Sequence, residues 1–306
     1  MPSKWQRLPT EAVHPATRRI DTLSSMAIVK RMGQEDRRVV TAVSREHARI
    51  ARGADLIARA LGAGGCVVFV GAGTSGRLGV LEAAEIPPTF GTRPAVVRAL
   101  LAGGRGAVFR AREGAEDDRG AGARRLTDLR VSARDVVVGV SASGITPFVH
   151  GALAAARRRH ATTLIVTCAP RAVPRGLADL VIAPIVGPEV IAGSTRLKAG
   201  TATKMVLNML TTTAMILAGK TYGNLMVDVR AGSAKLRDRA RRIVASVTGL
   251  APREAGALVG RARGNVKAAI VMQAAEVSYP EAIRRLRAAE GRVGRAIASS
   301  KWEARR

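Results

Sequence analysis

The sequence predicts an α/β protein whose parallel sheet is doubly wound by helices. Five short apolar runs predict the strands, and they lie at residues 66–70, 95–101, 135–140, 162–168 and 180–186. Helical stretches separate most of these runs, near residues 75–85, 106–128 and 146–159. Continuous apolar strands that alternate with helices are typical of a parallel sheet covered on both faces.

Helical patterns flank the predicted sheet on both sides. Residues from about Thr22 to Leu61 show helical periodicity and predict two helices ahead of the sheet. Gly200 to Lys220 predicts a long, largely apolar helix that belongs to the core or to a subunit interface. Short helical pieces from Ser233 to about Ile297 predict a terminal bundle of about three helices. The predicted segments are therefore N-terminal helices (1–62), a sheet domain (63–230) and a C-terminal helical bundle with a tail (231–306).

The composition is that of a globular protein, with 47% apolar residues among 306. No run of 18 apolar residues occurs, and the first seven residues lack the apolar core of a signal peptide. We therefore expect a cytoplasmic protein with no membrane partner. Cys66 and Cys168 fall in predicted strands and are expected to be core thiols, and four scattered histidines predict no metal site.

The formal net charge of +27 suggests a nucleic-acid partner, because basic surfaces gain affinity for phosphates by counterion release. The distribution of charge argues against a specific one. Arginines occur in every segment, aromatic residues make up only 3% of the chain, and no known nucleic-acid-binding motif is present. The sequence favours charged, solvated helix faces with a general attraction for anionic metabolites.

A glycine-rich turn, Gly71–Gly76, directly follows the first predicted strand. Such a turn directs backbone N–H groups and a helix N-terminus at one anionic group, and Thr74 and Ser75 add hydroxyl donors. Its spacing also fits a dinucleotide fingerprint, which needs an acid at the end of the second strand. That strand has no acidic residue. Arg98 could bind a 2′-phosphate, so a dinucleotide that carries one remains an alternative.

A second hydroxyl-rich loop, the serine loop (residues 141–147), follows the third predicted strand. Hydroxyls and N–H groups from two adjacent strand ends can surround one phosphate at the carboxyl edge of a sheet. Thr146-Pro147 has the pattern of a helix N-cap and first helical residue. The two loops together favour a phosphorylated small molecule, and the simpler alternative is that these hydroxyls only cap helices.

Candidate acid/base groups follow both the turn and the second strand. Glu82 and Glu85 lie within about two helical turns of the glycine-rich turn, on the predicted helix. Glu116 belongs to an acidic cluster whose other members, Asp117 and Asp118, are expected to be solvated. Two carboxyl groups in different protonation states could catalyse a proton transfer, but the residues alone do not choose between these candidates.

Five blocks of this sequence resemble the N-acetylmuramic acid 6-phosphate etherase family. They occur in the family's order at compatible spacing, from about Thr10 to the terminal helical segment: Gly71–Gly91, Glu113–Asp117, Ser141–Phe148, Gly187–Gly200 and Tyr222–Val229. The resemblance implies a sugar isomerase (SIS) fold with a five-stranded parallel sheet, related to the regulatory protein of glucokinase. It also implies a lyase that releases D-lactate from the sugar by elimination and hydration, with no metal or other cofactor.

The resemblance also implies roles for single residues. It makes Glu85, before the Pro-Pro pair, the general acid, and Glu116 the second catalytic glutamate. It implies a phosphate-binding set that comprises Gly73, Thr74, Ser75, Ser141, Ser143 and Thr146. Lys198 is a further candidate for phosphate or lactate, with a helix-surface lysine as the alternative. The family completes its site across subunits, so a homodimer is expected.

Two departures from the family pattern leave other functions open. Ile145 stands in the serine loop where the family commonly has Arg, and the family commonly has Asn near His14. A lost guanidinium removes a bidentate donor and could alter substrate recognition. The alternatives are a non-catalytic sugar-phosphate regulator, since the same fold serves that role, and a phosphosugar isomerase that acts through an enediol.

Overall fold

A computed structural model describes residues 8–229 and 234–298. The chain forms two compact units. The first contains the residues up to Ala83 together with Pro94–Thr213, and the second contains Ala84–Arg93 and the residues from Ala214 onward. The sequence-based division at residues 62/63 and 230/231 stays a prediction.

The first unit is built on one five-stranded sheet whose strands are all parallel. The strands are β1 (Val67–Gly71), β2 (Val97–Leu101), β3 (Val136–Val140), β4 (Thr162–Val166) and β5 (Leu180–Ile182). Their order, β2-β1-β3-β4-β5, places β1 between β2 and β3. The chain therefore reverses direction across the sheet at β1 and β3, and the crevice at such a switch point is where ligands of open α/β sheets bind.

Six helices follow or precede these strands. They are α1 (Ser25–Ser44), α2 (His47–Gly62), α3 (Gly73–Phe90), α4 (Arg119–Asp128), α5 (Pro147–Arg158) and α6 (Lys198–Leu217). The predicted helix at 106–128 is wrong in its first half, where only a 3-10 turn, Arg105–Val108, precedes α4. Gly114 has a φ of 72°, outside the helical region, and the Asp118 side chain caps α4, so the helix begins only at Arg119.

The two faces of the sheet are covered by different helices, as the doubly wound prediction requires. Val68, Val137 and Ile165 share one face and one buried cluster with Phe148 and Leu153 of α5. On the opposite face, Gly53 of α2 lies against Leu164 of β4 and Leu210 of α6. Both faces are therefore buried, which explains why the strand sequences are continuously apolar.

Among the described residues after Ala214, five further helices pack around a core of their own. They are α7 (Ala234–Thr248), α8 (Pro252–Arg261), α9 (Val266–Ala275), α10 (Tyr279–Ala288) and α11 (Val293–Ile297). The prediction of about three helices is therefore wrong in number. A turn at Gly291, with a φ of 76°, separates α11 from α10 and was not predicted. Residues 266–271 of α9 are all buried, so this helix forms the centre of the bundle.

Other sequence-based expectations concern single side chains and membrane helices. Cys66 and Cys168 are buried and free, and burial raises the pKa of Cys66 to about 11 and that of Cys168 to about 12. Their prediction as core thiols is confirmed. No helix within residues 8–229 and 234–298 is long and apolar enough to cross a membrane. The same residues contain no group of three or more His, Cys, Asp or Glu side chains that could hold a metal ion.

Close packing of α4 against α5 predicts the effect of one added methyl group. A Cβ on Gly151 would collide with the backbone carbonyl of Arg119, which cannot move without shifting α4. We expect Gly151→Ala to lower the free energy of unfolding by about 1–3 kcal/mol in urea titrations. Gly33→Ala is the matched control, because a Cβ there meets nothing within 4 Å, and it should stabilise α1 by about 0.5–1 kcal/mol. Equal effects of the two substitutions would contradict this packing.

Candidate active site

The glycine-rich turn connects β1 to α3 with little space between its two ends. A Cβ on Gly71 would lie 2.6 Å from the backbone nitrogen of Gly76, and a Cβ on Gly76 would lie 2.7 Å from the carbonyl oxygen of Gly71. Only glycine fits at either position. Gly73 begins α3 with a φ of 52°. The first-turn N–H groups of α3 have no partner within the helix, and Thr74 and Ser75 stand on that turn.

The serine loop after β3 is held by its own hydroxyl groups. The Ser141 hydroxyl lies 2.8 Å from the Thr146 hydroxyl and accepts the Gly144 N–H at 3.1 Å. The Ser143 hydroxyl accepts the Ile145 N–H at 3.5 Å. Thr146 is the N-cap residue of α5, but its side chain makes no capping hydrogen bond. Simple helix capping therefore does not account for the hydroxyl of Thr146.

Glu116 is tied by its backbone to the end of the serine loop. Its carbonyl oxygen accepts the Phe148 N–H at 2.9 Å, in the first turn of α5. Partial burial of its carboxyl group raises the pKa of Glu116, and the negative charges of Asp117 and Glu113 raise it further. A carboxyl group with a raised pKa beside a hydroxyl-rich loop has the properties of a catalytic acid or base.

A cavity of about 220 Å³ lies between the glycine-rich turn and the loop of residues 111–116. Gly73 and Glu116 both line it, so the structure brings these two predicted site residues together. Arg77 and Arg112 also line it, and sequence analysis missed both. The Arg77 guanidinium donates to the carbonyl oxygens of Ala107 and Val108, which fixes the 3-10 turn on one wall. Arginine is too frequent in this chain for either residue to stand out in the sequence.

The two glutamates of α3 have opposite environments. Glu82 is buried in the first unit, and its carboxylate accepts a hydrogen bond from the Thr211 hydroxyl at 2.6 Å. Glu85 is exposed and belongs to the second unit, whereas Glu116 belongs to the first. Because Glu85 is exposed and Glu82 is buried, Glu85 is the better candidate for direct contact with a substrate. The assignment of Glu85 as general acid stays a prediction.

Lys198 lies in the core of the first unit rather than on a helix surface. Its side chain is 1% exposed, and Nζ donates to the Glu35 carboxylate at 2.6 Å. The same Glu35 oxygen lies 3.1 Å from Nε2 of His14. Burial opposes ionisation of Glu35, but the hydrogen bond and charge of Lys198 outweigh it and lower the pKa of Glu35. A direct contact between Lys198 and substrate stays a prediction.

Glu189 caps the N-terminus of α6. This fully buried carboxylate accepts the backbone N–H groups of Lys198 and Ala199 at 3.1 and 2.9 Å. Gly200, in the same turn, lies against Thr74, since a Cβ there would be 3.6 Å from the Thr74 methyl group. The capped end of α6 therefore supports the glycine-rich turn. Sequence analysis missed this role, although Glu189 lies inside one of the five blocks.

The parallel sheet, its strand order and its flanking helices are those of an SIS-type domain. The family described as glucokinase regulatory protein N-terminal SIS domain matches residues 49–157. This range includes β1, both loops and Glu116.

Comparison over the whole chain identifies the family more closely. A protein of Rhodopirellula baltica named N-acetylmuramic acid 6-phosphate etherase is 47% identical over 98% of this chain and 99% of its own. Proteins of the same name are 49% identical in Rubrobacter xylanophilus, over 94% of this chain and 96% of that protein, and 53% identical in Gloeobacter violaceus, over 87% of each. This chain belongs to the N-acetylmuramic acid 6-phosphate etherase family, and the resemblance in the five blocks is confirmed.

One solved structure that matches part of this chain is that of the Escherichia coli CFT073 protein c3406. It is 18% identical to this chain, and the match covers 66% of this chain and 97% of that protein with a TM-score of 0.46.

The buried cluster around Glu35 predicts a large loss of stability on substitution. Glu35→Gln would leave the Lys198 ammonium buried beside a neutral amide, and we expect it to lower the free energy of unfolding by about 3–5 kcal/mol. The double variant Glu35→Gln, Lys198→Met should lose less, because no unpaired charge remains. Urea titrations measure both. The control is Asp238→Asn, which removes only surface ion pairs of a half-exposed carboxylate and should change little. A double variant as unstable as Glu35→Gln would contradict the pairing.

The same cluster predicts a pH effect. The pKa of Glu35 is lower in the folded state than in the unfolded state, so its stabilisation is complete above the unfolded value and is lost as pH falls through the folded value. As the pH falls, the wild type should therefore lose more of its free energy of unfolding than Glu35→Gln, because the variant has no carboxylate at position 35 to protonate. Thermal unfolding of both proteins across the acid range measures this difference.

Proposed function

We propose that this chain cleaves the D-lactyl ether of N-acetylmuramic acid 6-phosphate to N-acetylglucosamine 6-phosphate and D-lactate. The observation that carries the proposal is the cavity that joins Gly73 and Glu116, in a chain whose full-length relatives bear the name of this activity. The enzyme would be a carbon–oxygen lyase of amino sugar catabolism and would act in the cytoplasm.

The phosphate of the sugar would bind between the two loops at the switch point. The first turn of α3 offers N–H groups and the hydroxyls of Thr74 and Ser75. The serine loop adds the hydroxyls of Ser141, Ser143 and Thr146. These groups hold phosphate through neutral donors, and the chemistry that follows requires no metal or redox cofactor.

The reaction is an elimination followed by addition of water. In the open-chain sugar, the aldehyde at carbon 1 acidifies the proton on carbon 2, and the Glu116 carboxylate removes that proton. The electron pair forms the double bond between carbons 2 and 3, the bond from carbon 3 to the lactyl oxygen breaks, and Glu85 donates a proton to that oxygen. Water then adds at carbon 3 of the unsaturated aldehyde and gives the product sugar.

We also propose that the protein is a homodimer with its site near the subunit interface. Two observations support this proposal. The carboxylate side chain proposed as general acid, Glu85, is exposed in the single chain, and Leu81 lies exposed one turn before it on α3. On α1, Met26 and Val29 are also exposed apolar side chains. A monomeric mass at micromolar concentration would contradict a dimer.

Release of D-lactate from N-acetylmuramic acid 6-phosphate tests the proposed reaction. The wild type should release one lactate for each sugar, and Glu116→Gln should lower kcat by about 10²–10⁴-fold, the usual contribution of a general base. The matched control is Glu254→Gln, at an exposed residue of α8, which should leave kcat unchanged. Glu82 is not used as a control because its carboxylate is buried. Binding without turnover would indicate a regulator, and a product that retains its lactyl group would indicate an isomerase.

The raised pKa of Glu116 predicts how the reaction depends on pH. A general base must be ionised, so kcat/KM should rise with pH through the pKa of Glu116. Removing the neighbouring charge with Asp117→Asn should lower that pKa and move the acid limb to lower pH. Asp128→Asn removes an equal charge from an exposed position and should leave the limb unchanged. A limb that moves upward, or equally in both variants, would rule out Glu116 as the titrating base.

A further inference from the structure

The end of α3 that carries Glu85 is weakly held by its own helix. Pro87 and Pro88 lie inside the helix and have no N–H group, so the carbonyl oxygens of Ala83 and Ala84 lose their helical donors. Helical geometry at Ile86 is also disfavoured, because it precedes a proline. Two successive helical hydrogen bonds, from residue 87 to 83 and from residue 88 to 84, are therefore missing, and both span Glu85. Support for this position has to come from outside the helix.

Asp228 supplies such support in the second unit. Gly91 follows the last residue of α3 and donates its N–H to the Pro87 carbonyl at 2.9 Å. It has a φ of 64°, and a Cβ there would collide with the carbonyl oxygen of Asp228. The backbone of Asp228 therefore lies in direct contact with the turn that ends α3. Any shift of Asp228 would move the end of this helix.

Lys267 of α9 holds Asp228 in place. Its Nζ donates to the Asp228 carboxylate at 2.6 Å and to the carbonyl oxygen of Gly219 at 2.8 Å. Only 6% of Lys267 is exposed, whereas Lys220, the second cation beside Asp228, is a more exposed partner at 3.1 Å. A buried ammonium with two fixed acceptors is costly to place and rigid once paired. Through the Lys267 side chain, α9 at the centre of the bundle is therefore linked to the segment of residues 219–228.

We propose that Lys267 is a positioning residue for Glu85. It fixes the Asp228 carboxylate, the Asp228 backbone supports Gly91, and Gly91 closes the helix end on which Glu85 lies. The inference rests on the proposed function, because the position of Glu85 matters in this way only if Glu85 donates a proton to the leaving lactate. It assigns the C-terminal bundle a part in catalysis that does not involve substrate contact.

The elimination has two proton transfers, and measuring each one separately distinguishes a positioning role of Lys267 from a merely structural one. Removal of the carbon 2 proton depends on Glu116 and on the phosphate-binding loops, all of which belong to the first unit. Departure of lactate depends on Glu85, which belongs to the second. A displaced Glu85 should therefore slow ether cleavage while the carbon 2 proton still exchanges with solvent.

The experiment uses the full-length chain with Lys267→Met and Asp228→Asn, each assayed in D₂O. Lactate release gives kcat and KM, and proton NMR of the recovered substrate gives exchange at carbon 2. We expect kcat to fall by about 100-fold in both variants, the usual effect of a misplacement near 1 Å, with little change in KM. Exchange should continue near the wild-type rate. Lys235→Met, at an exposed lysine of α7, is the matched control and should match the wild type.

Each other outcome has a definite meaning. Full lactate release by a folded Lys267→Met protein, or equal loss of release and exchange, would overturn the positioning role. If thermal melting shows that Lys267→Met is unfolded at the assay temperature, Asp228→Asn decides by the same two readouts. It weakens the hold on residue 228, while the Lys267 ammonium keeps the Gly219 carbonyl oxygen as an acceptor. A wild type that releases no lactate would instead overturn the proposed function, whatever the variants do.

Discussion

The close approach of Gly71 and Gly76 is the constraint on which the rest of the site depends. It lets α3 begin within two residues of the end of β1, so the first turn of the helix lies at the edge of the sheet. The strand order places the serine loop beside it, at the end of β3. Glu116 is then fixed to the same edge through the N–H of Phe148. A larger residue at either glycine would separate these parts.

Burial divides the carboxylates of this chain into two groups. Glu35, Glu82 and Glu189 are buried and each accepts hydrogen bonds from the core, so they stabilise the fold. Glu85 and Glu116 reach solvent and are the two that the proposed elimination uses. A sequence motif cannot show this division, because Glu82 and Glu85 stand three residues apart on one helix. The Glu82 carboxylate accepts a hydrogen bond from Thr211 of α6 in the core, whereas Glu85 is exposed.

The sheet and its flanking helices could be predicted because strands buried on both faces are continuously apolar, as Val67–Gly71 and Val136–Val140 are. The loop before α4 was mistaken for helix because one positive-φ glycine, Gly114, leaves little trace in an alanine-rich and arginine-rich segment. The partner of Lys198 could not be predicted, since Glu35 is 163 positions away. The two loops could be located because glycine, serine and proline mark backbone geometry directly. Only the family resemblance chose Glu85 and Glu116 among the nearby carboxylates, and their roles stay predictions.

The carboxylate of Glu189 has a consequence for how the edge of the sheet selects an anion. Among the helices of the first unit, α3 follows β1, α5 follows the serine loop after β3, and α6 begins against Thr74 of α3. The start of each of these helices carries partial positive charge. At α6 an internal carboxylate already occupies the N–H groups, so this helix end is closed to any other anion. In the proposed complex, only the starts of α3 and α5 would then be left to bind the phosphate of the sugar.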